Sequence, residues 1–212
     1  MKRENSTKKN IISDVNRESC FQELIEGRWS PRAFSDEAIP NETIFKLFDA
    51  GKTSMSCFNE QPWRVIFAHK QDEHYPQLFD CLGEFNQKWV QTAPCLGVIL
   101  GKKHFSRNDK YNRHHLYDSG AFMATVTFMA ASLNLFVHQM GGFSTDKVIH
   151  HFQVPANYEP AAMFVIGSLG DPDQLPGDLQ EKELKRSPRH KVEQFVFGAQ
   201  WEVPYFAPHE KD

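Results

Sequence analysis

Two arginines bracket a serine in the run Arg28-Trp29-Ser30-Pro31-Arg32-Ala33-Phe34. Pro31 forbids helix continuation, and in an extended chain residues two apart point to one side, so Arg28, Ser30 and Arg32 share a face. Forked guanidinium groups meet a phosphate through charge-assisted, often bidentate hydrogen bonds; anion binding is therefore the chemistry this face offers. A second polar stretch covers residues 54–63, Ser-Met-Ser-Cys-Phe-Asn-Glu-Gln-Pro-Trp. There Asn59 and Gln61 each carry a donor and an acceptor suited to the edge of a heteroaromatic ring, and Pro62 biases Gln61 toward an extended conformation. The third feature is Gly141-Gly142, where the lack of a Cβ lets backbone lie against a flat ring. Each also has an ordinary reading, as a solvated charge or a plain turn.

The elements that must position these residues follow from periodicity. Cys20, Phe21, Leu24 and Ile25 fall on one face of a short helix that ends near Gly27. A second helix is signalled by Asn41 as N-cap, Glu42 in the first turn and a stripe of Ile44, Leu47, Phe48 and Gly51. Residues 63–68 read as a strand, 73–82 and 85–91 as helices, and 96–100 as a buried strand. Residues 102–115 form a polar, basic and aromatic loop. Residues 118–133 make the most apolar helix, with Asn134 beyond it in a left-handed conformation. Residues 135–143 read as a tight turn before a short helix starting near Ser144, and residues 161–167 as a further buried strand. The aromatic tail, 195–206, is expected to pack on its own domain or on a neighbouring subunit. Residues 1–17 read as a flexible arm and 18–212 as a single domain.

Composition narrows the classes. The chain has 212 residues, 40% hydrophobic and 24% charged, which is the balance of a globular protein large enough to form a core without staples. A net charge of -3 gives no general attraction to nucleic acid or to anionic membrane, so neither is expected as a partner. No apolar run has the length of a membrane span. Cys20, Cys57, Cys81 and Cys95 lie far apart without a C-x-x-C pair, and the His114-His115 and His150-His151 neighbours cannot share a helical face. No metal site is expected, and free thiols suit the cytoplasm.

Arg-x-Ser-x-Arg-x-Phe near the start, Ser-x-x-Asn-x-Gln-Pro-Trp after the second helix and Gly-Gly-Phe after the apolar helix together resemble the nitroreductase family. That resemblance implies an α+β fold with a central, mainly antiparallel sheet flanked by helices, assembled as an intertwined homodimer with FMN at the subunit interface. It assigns Arg28, Ser30 and Arg32 to the FMN phosphate and ring edge, and Arg189 to another phosphate contact. Ser56 and Asn59 match family positions that reach FMN from the loop before Gln-Pro-Trp. Gln139, Met140, Gly141 and Gly142 match the turn along the flavin, where a backbone N–H faces N5. The activity implied is hydride uptake from NADH or NADPH and reduction of nitroaromatics, quinones or a similar electron-poor acceptor by a ping-pong mechanism. The cofactor carries the chemistry, so no catalytic side chain is required. The alternatives are a reductive dehalogenase of the same fold and a non-catalytic protein that stores or senses FMN.

Overall fold

A computed structural model describes residues 17–183 and 185–206. The expected N-terminal arm lies outside the described residues except for Arg17, which opens helix α1 (Arg17–Gly27). Four strands form one antiparallel sheet in the order β1-β2-β4-β3, comprising β1 (Trp63–His69), β2 (Cys95–Lys102), β3 (Phe136–Met140) and β4 (Tyr158–Gly167). Val98 pairs with Ile66 on one side and with Met163 on the other, which puts β2 in the interior. A register shift between Ile99 and Leu100 marks an irregularity in its pairing with β4.

Alternation along the strands divides the core in two, because successive side chains leave opposite faces of the pleat. Leu96, Val98 and Leu100 of β2 join Met163 and Val165 of β4 beneath Leu78, Trp89 and Val90. These last three lie on α3 (Tyr75–Cys81) and α4 (Glu84–Val90). On the opposite face Cys95 and Ile99 join Phe164 and Ile166 against Phe122, Met123, Val126 and Ala130. Those four belong to α5 (His115–Ser132), which also packs on α2 (Asn41–Gly51) through Ile44 and Leu47. Each Val, Leu, Ile, Phe or Met side chain among them contributes about 1.5–3 kcal/mol on full burial. The sheet is thus covered on both sides, and ligand chemistry is left to its margins.

Three local expectations change. Asn41 is the first helical residue of α2, after the N-cap Pro40, and its Oδ1 instead meets His69 Nε2 at 2.6 Å. Gln61 has a φ of 50° rather than an extended backbone; its N–H donates to Ser56 Oγ at 3.0 Å, and its side-chain amide donates to Asn59 Oδ1 at 3.1 Å. Those local bonds outweigh the steric preference that Pro62 imposes. The stretch expected as a turn at 135–143 contains β3, whose short run leaves a weak periodic signal, and its Gly-Gly end is irregular. Asn134 does adopt the left-handed conformation, with φ 57°. Helices α6 (Thr145–His151) and α7 (Asp178–Glu183) complete the chain order.

The interior position of β2 makes Gly97 a tight point, where a Cβ would sit 2.5 Å from Phe164 Cζ and 2.9 Å from the Ile66 carbonyl oxygen. Gly97→Ala is expected to lower stability by about 1–3 kcal/mol through overpacking. Urea unfolding monitored by circular dichroism measures the change.

Candidate functional site

Arg28, Ser30 and Arg32 leave α1 in a non-helical segment and line a single cavity of about 940 Å³. Arg186 and Arg189, just beyond α7, line the same cavity, with His138 of β3 and Phe128 of α5. Among the described residues, no ion pair involves Arg28, Arg32, Arg186 or Arg189. Arg186 Nη1 donates to the Glu26 carbonyl at 3.0 Å, and Arg189 Nη1 to the Ser187 carbonyl at 3.4 Å. Burial lowers the pKa of Arg28, and the adjacent charges of Arg189 and Arg186 push it down further. Glu26 and Glu181 also line the cavity but pair with none of these arginines, and guanidinium groups left unpaired in this way form a site for an anion.

The backbone under these arginines is fixed. Glu183, the buried last residue of α7, accepts from Arg32 N at 2.7 Å and from Ala33 N at 3.0 Å through one oxygen, Oε1. His138 Nδ1 donates to the Pro31 carbonyl at 2.7 Å, while its ring packs on Trp89 with centroids 4.6 Å apart. Burial drives the His138 pKa down to about 4 against the raising effect of the Pro31 bond, with Arg32 lowering it further. Arg32 Nε is buried with no protein acceptor. A donor of that kind beside a polar cavity fits an anionic or hydroxylated ligand group.

The loop at 54–63 is built separately. Ser54 is buried, with its hydroxyl 2.7 Å from that of Thr125, and Cys57 N donates to Asp118 Oδ2 at 3.0 Å, so α5 holds the loop at both points. Phe58, Asn59 and Gln61 have φ values of 54°, 56° and 50°, a conformation that costs most L-residues roughly 1–2 kcal/mol. The loop at 102–115 docks on it. Glu60 accepts from Ser106 N at 2.9 Å, Ser106 Oγ at 2.6 Å and Lys102 Nζ at 3.3 Å. Burial would raise the Glu60 pKa, but these bonds hold it below the usual carboxylate value. Arg107 stacks over the Phe58 ring at 3.8 Å, leaving that ring still 69% exposed.

The structure therefore brings Arg28, Ser30, Arg32 and Arg189 to one cavity; Ser56, Asn59, Gln139, Met140, Gly141 and Gly142 do not line it. Met140 has its side chain in the core, whereas Gln139, Gly141 and Gly142 are exposed. Neither glycine of the pair has a positive φ. A Cβ at Gly142 would come within 2.9 Å of Asn86 Nδ2, whereas a Cβ at Gly141 would meet nothing within 4 Å. Open space beside a bare backbone is what a planar ring requires.

The Nitroreductase family profile matches residues 25–168. The chain belongs to the nitroreductase family. A solved oxidoreductase containing FMN is 30% identical, with a TM-score of 0.81, over 95% of this chain and 98% of that one. An uncharacterized 15.4 kDa protein of Mycolicibacterium smegmatis is 30% identical over 65% of this chain and 90% of its own length. Pig (Sus scrofa) iodotyrosine deiodinase 1 is 27% identical over 57% of this chain, which spans half the length of that protein. The antiparallel α+β architecture and the family agree with what the motifs imply.

Sequence reasoning overlooked Trp29, His138, Lys182, Lys185 and Arg186 in the cavity wall, and Glu183 behind it. Clustering of Lys185, Arg186 and Arg189 within five positions was the available signal; nothing local marks His138 or Glu183. His138 has a measurable signature. Its pKa of about 4 lies below the ordinary 6.5, so the unfolded chain binds the proton more readily. The resulting stability is complete above pH 6.5, declines as pH falls toward 4, and amounts to at most about 3.5 kcal/mol at roughly 1.4 kcal/mol per pH unit. Urea midpoints at pH 7.0 and 4.5 should therefore diverge more in the parent than in His138→Phe.

Proposed function

We propose that the chain is an FMN-dependent oxidoreductase of the cytoplasm that takes hydride from NADH or NADPH and reduces an electron-poor small molecule, such as a nitroaromatic or a quinone, by a ping-pong cycle. The observation that carries this reading is the set of guanidiniums without an ion-pair partner among the described residues that line one large cavity in a chain of the nitroreductase family. Arg28, Arg32 and Arg189 would hold the FMN phosphate, with Ser30 toward the ring edge. Gln139, Met140, Gly141 and Gly142 would offer backbone to the flavin edge, and the open space beside Gly141 suits that role. When bound, FMN supplies hydride transfer at N5, which no side chain of this protein could provide.

Ser56 and Asn59 lie outside the cavity, and the loop that carries them exposes Met55 and Phe58 by 77% and 69%. Apolar side chains of that size on an ordered loop suit a subunit interface. The reading therefore includes a homodimer in which Ser56 and Asn59 complete the cofactor site of the neighbouring copy. A second reading, reductive dehalogenation on the same cofactor, is favoured by the similarity to iodotyrosine deiodinase 1. Both readings share the cofactor and differ in the acceptor. Among the described residues, no helix is long and apolar enough to cross a membrane, and Cys20, Cys57, Cys81 and Cys95 are free thiols.

Purified protein is expected to carry a flavin absorbance band that bleaches anaerobically on addition of NADH or NADPH and returns with a quinone. A flavin band that neither nucleotide bleaches would instead identify a storage or sensing protein. Arg28→Ala should raise the FMN dissociation constant by about ten- to a hundredfold, the range expected for losing a charged hydrogen-bond donor. Its unfolding midpoint should move little, since Arg28 makes no ion pair in the described protein. Fluorescence titration and thermal unfolding read the two quantities.

A further inference from the structure

We propose that His138 and Glu183 are positioning residues of the cofactor site, holding one peptide unit, Pro31–Arg32, from both sides and thereby setting the directions of Arg28, Ser30 and Arg32. The carbonyl of that peptide accepts from His138 Nδ1 at 2.7 Å, and its N–H donates to Glu183 Oε1 at 2.7 Å. The next N–H, of Ala33, donates to the same oxygen at 3.0 Å. A peptide is planar, so fixing both of its polar ends fixes the plane and with it the adjoining ψ and φ. Pro31 and Arg32 bound this plane, Ser30 adjoins Pro31, and Arg28 precedes it in the same short non-helical segment.

Neither residue is placed by chance. His138 sits on β3 with its ring against Trp89, which is 2% exposed, so the Nδ1 donor comes from a rigid support. Glu183 lies one helical turn beyond Leu179 on α7, and the two form the buried face of that helix, with exposures of 4% and 1%. Arg186 follows Glu183 by three positions and Arg189 by six. The Glu183 carboxyl thus joins the two cationic segments of the cavity through backbone, without neutralising either. Had it turned to a guanidinium, the pair would have reduced the positive field that an anion needs. Instead its Oε1 is committed to two backbone N–H groups.

This role rests on the FMN reading, and the two are separable by experiment. Deflavinated parent protein, Glu183→Leu, Glu183→Gln, His138→Phe, His138→Asn and the double variant His138→Phe/Glu183→Leu are titrated with FMN and with riboflavin, which lacks the phosphate. Glu183→Leu and His138→Phe should each weaken FMN binding by about tenfold while changing riboflavin binding less than about threefold. Glu183→Gln keeps an acceptor oxygen and His138→Asn keeps a donor near the Nδ1 position, so each should recover most of the loss. Because both side chains hold one peptide, the double variant should bind FMN nearly as well as the weaker single variant. Fully additive losses, equal losses for FMN and riboflavin, or no loss in either single variant would overturn the positioning role. If Glu183→Leu fails to fold, His138→Phe against His138→Asn decides by the same criteria. Parent protein that binds neither flavin would overturn the cofactor reading itself, and this role with it.

Discussion

Like charges must be kept together in this protein without pairing to the acids beside them, Glu26 and Glu181. Burial, with Arg189 and Arg186 close by, disfavours the ionised form of Arg28, yet the hydrogen bonds of Arg186 and Arg189 go to neutral carbonyls. Such a cluster carries an energetic cost when nothing anionic is bound, and the surrounding fold must absorb it. The same repulsion makes the cluster selective, because a dianionic phosphate relieves it and a neutral ligand does not. The other features of the site can be understood as means of holding these side chains in place.

The sheet supplies the rigidity. With α5 and α2 on one face and α3 and α4 on the other, its strands have no free face for a ligand. The cavity forms instead beside β3, where the segment after α1 and the segment after α7 come together. The loop at 54–63 is anchored to the same central helix through Ser54 and Cys57. Helix α5 therefore ties both halves of the proposed site to one core, since Phe128 lines the cavity and Asp118 holds the loop. A rigid core with function on its margins is the usual division between scaffold and site.

Much of this was legible in the amino-acid order, and the parts that were not share a cause. Residues 28–32 announced an anion-binding face because proline and alternation are local signals, and the cavity does gather them. The apolar helix, the left-handed Asn134 and the buried strands expected at 96–100 and 161–167, which run over 95–102 and 158–167, were likewise visible as periodicity or composition. What escaped depends on contacts between residues distant in sequence. Glu183 meets Arg32 across 151 positions and His138 meets Pro31 across 107, so neither role has a local mark. Gln61 was misjudged for the opposite reason, because two short-range side-chain bonds reverse a steric preference that proline would otherwise decide. The edge strand β3 was hidden because it is only five residues long.

The arginines that leave α1 and those that follow α7 are proposed to close on a single phosphate. A crystal structure of the protein grown with FMN tests it most directly. The phosphate oxygens should lie within about 3 Å of guanidinium nitrogens of Arg28 and Arg189, with the ring running beside the backbone at Gly141. A flavin whose phosphate is met by other residues, while Arg28 and Arg189 face solvent, would contradict it.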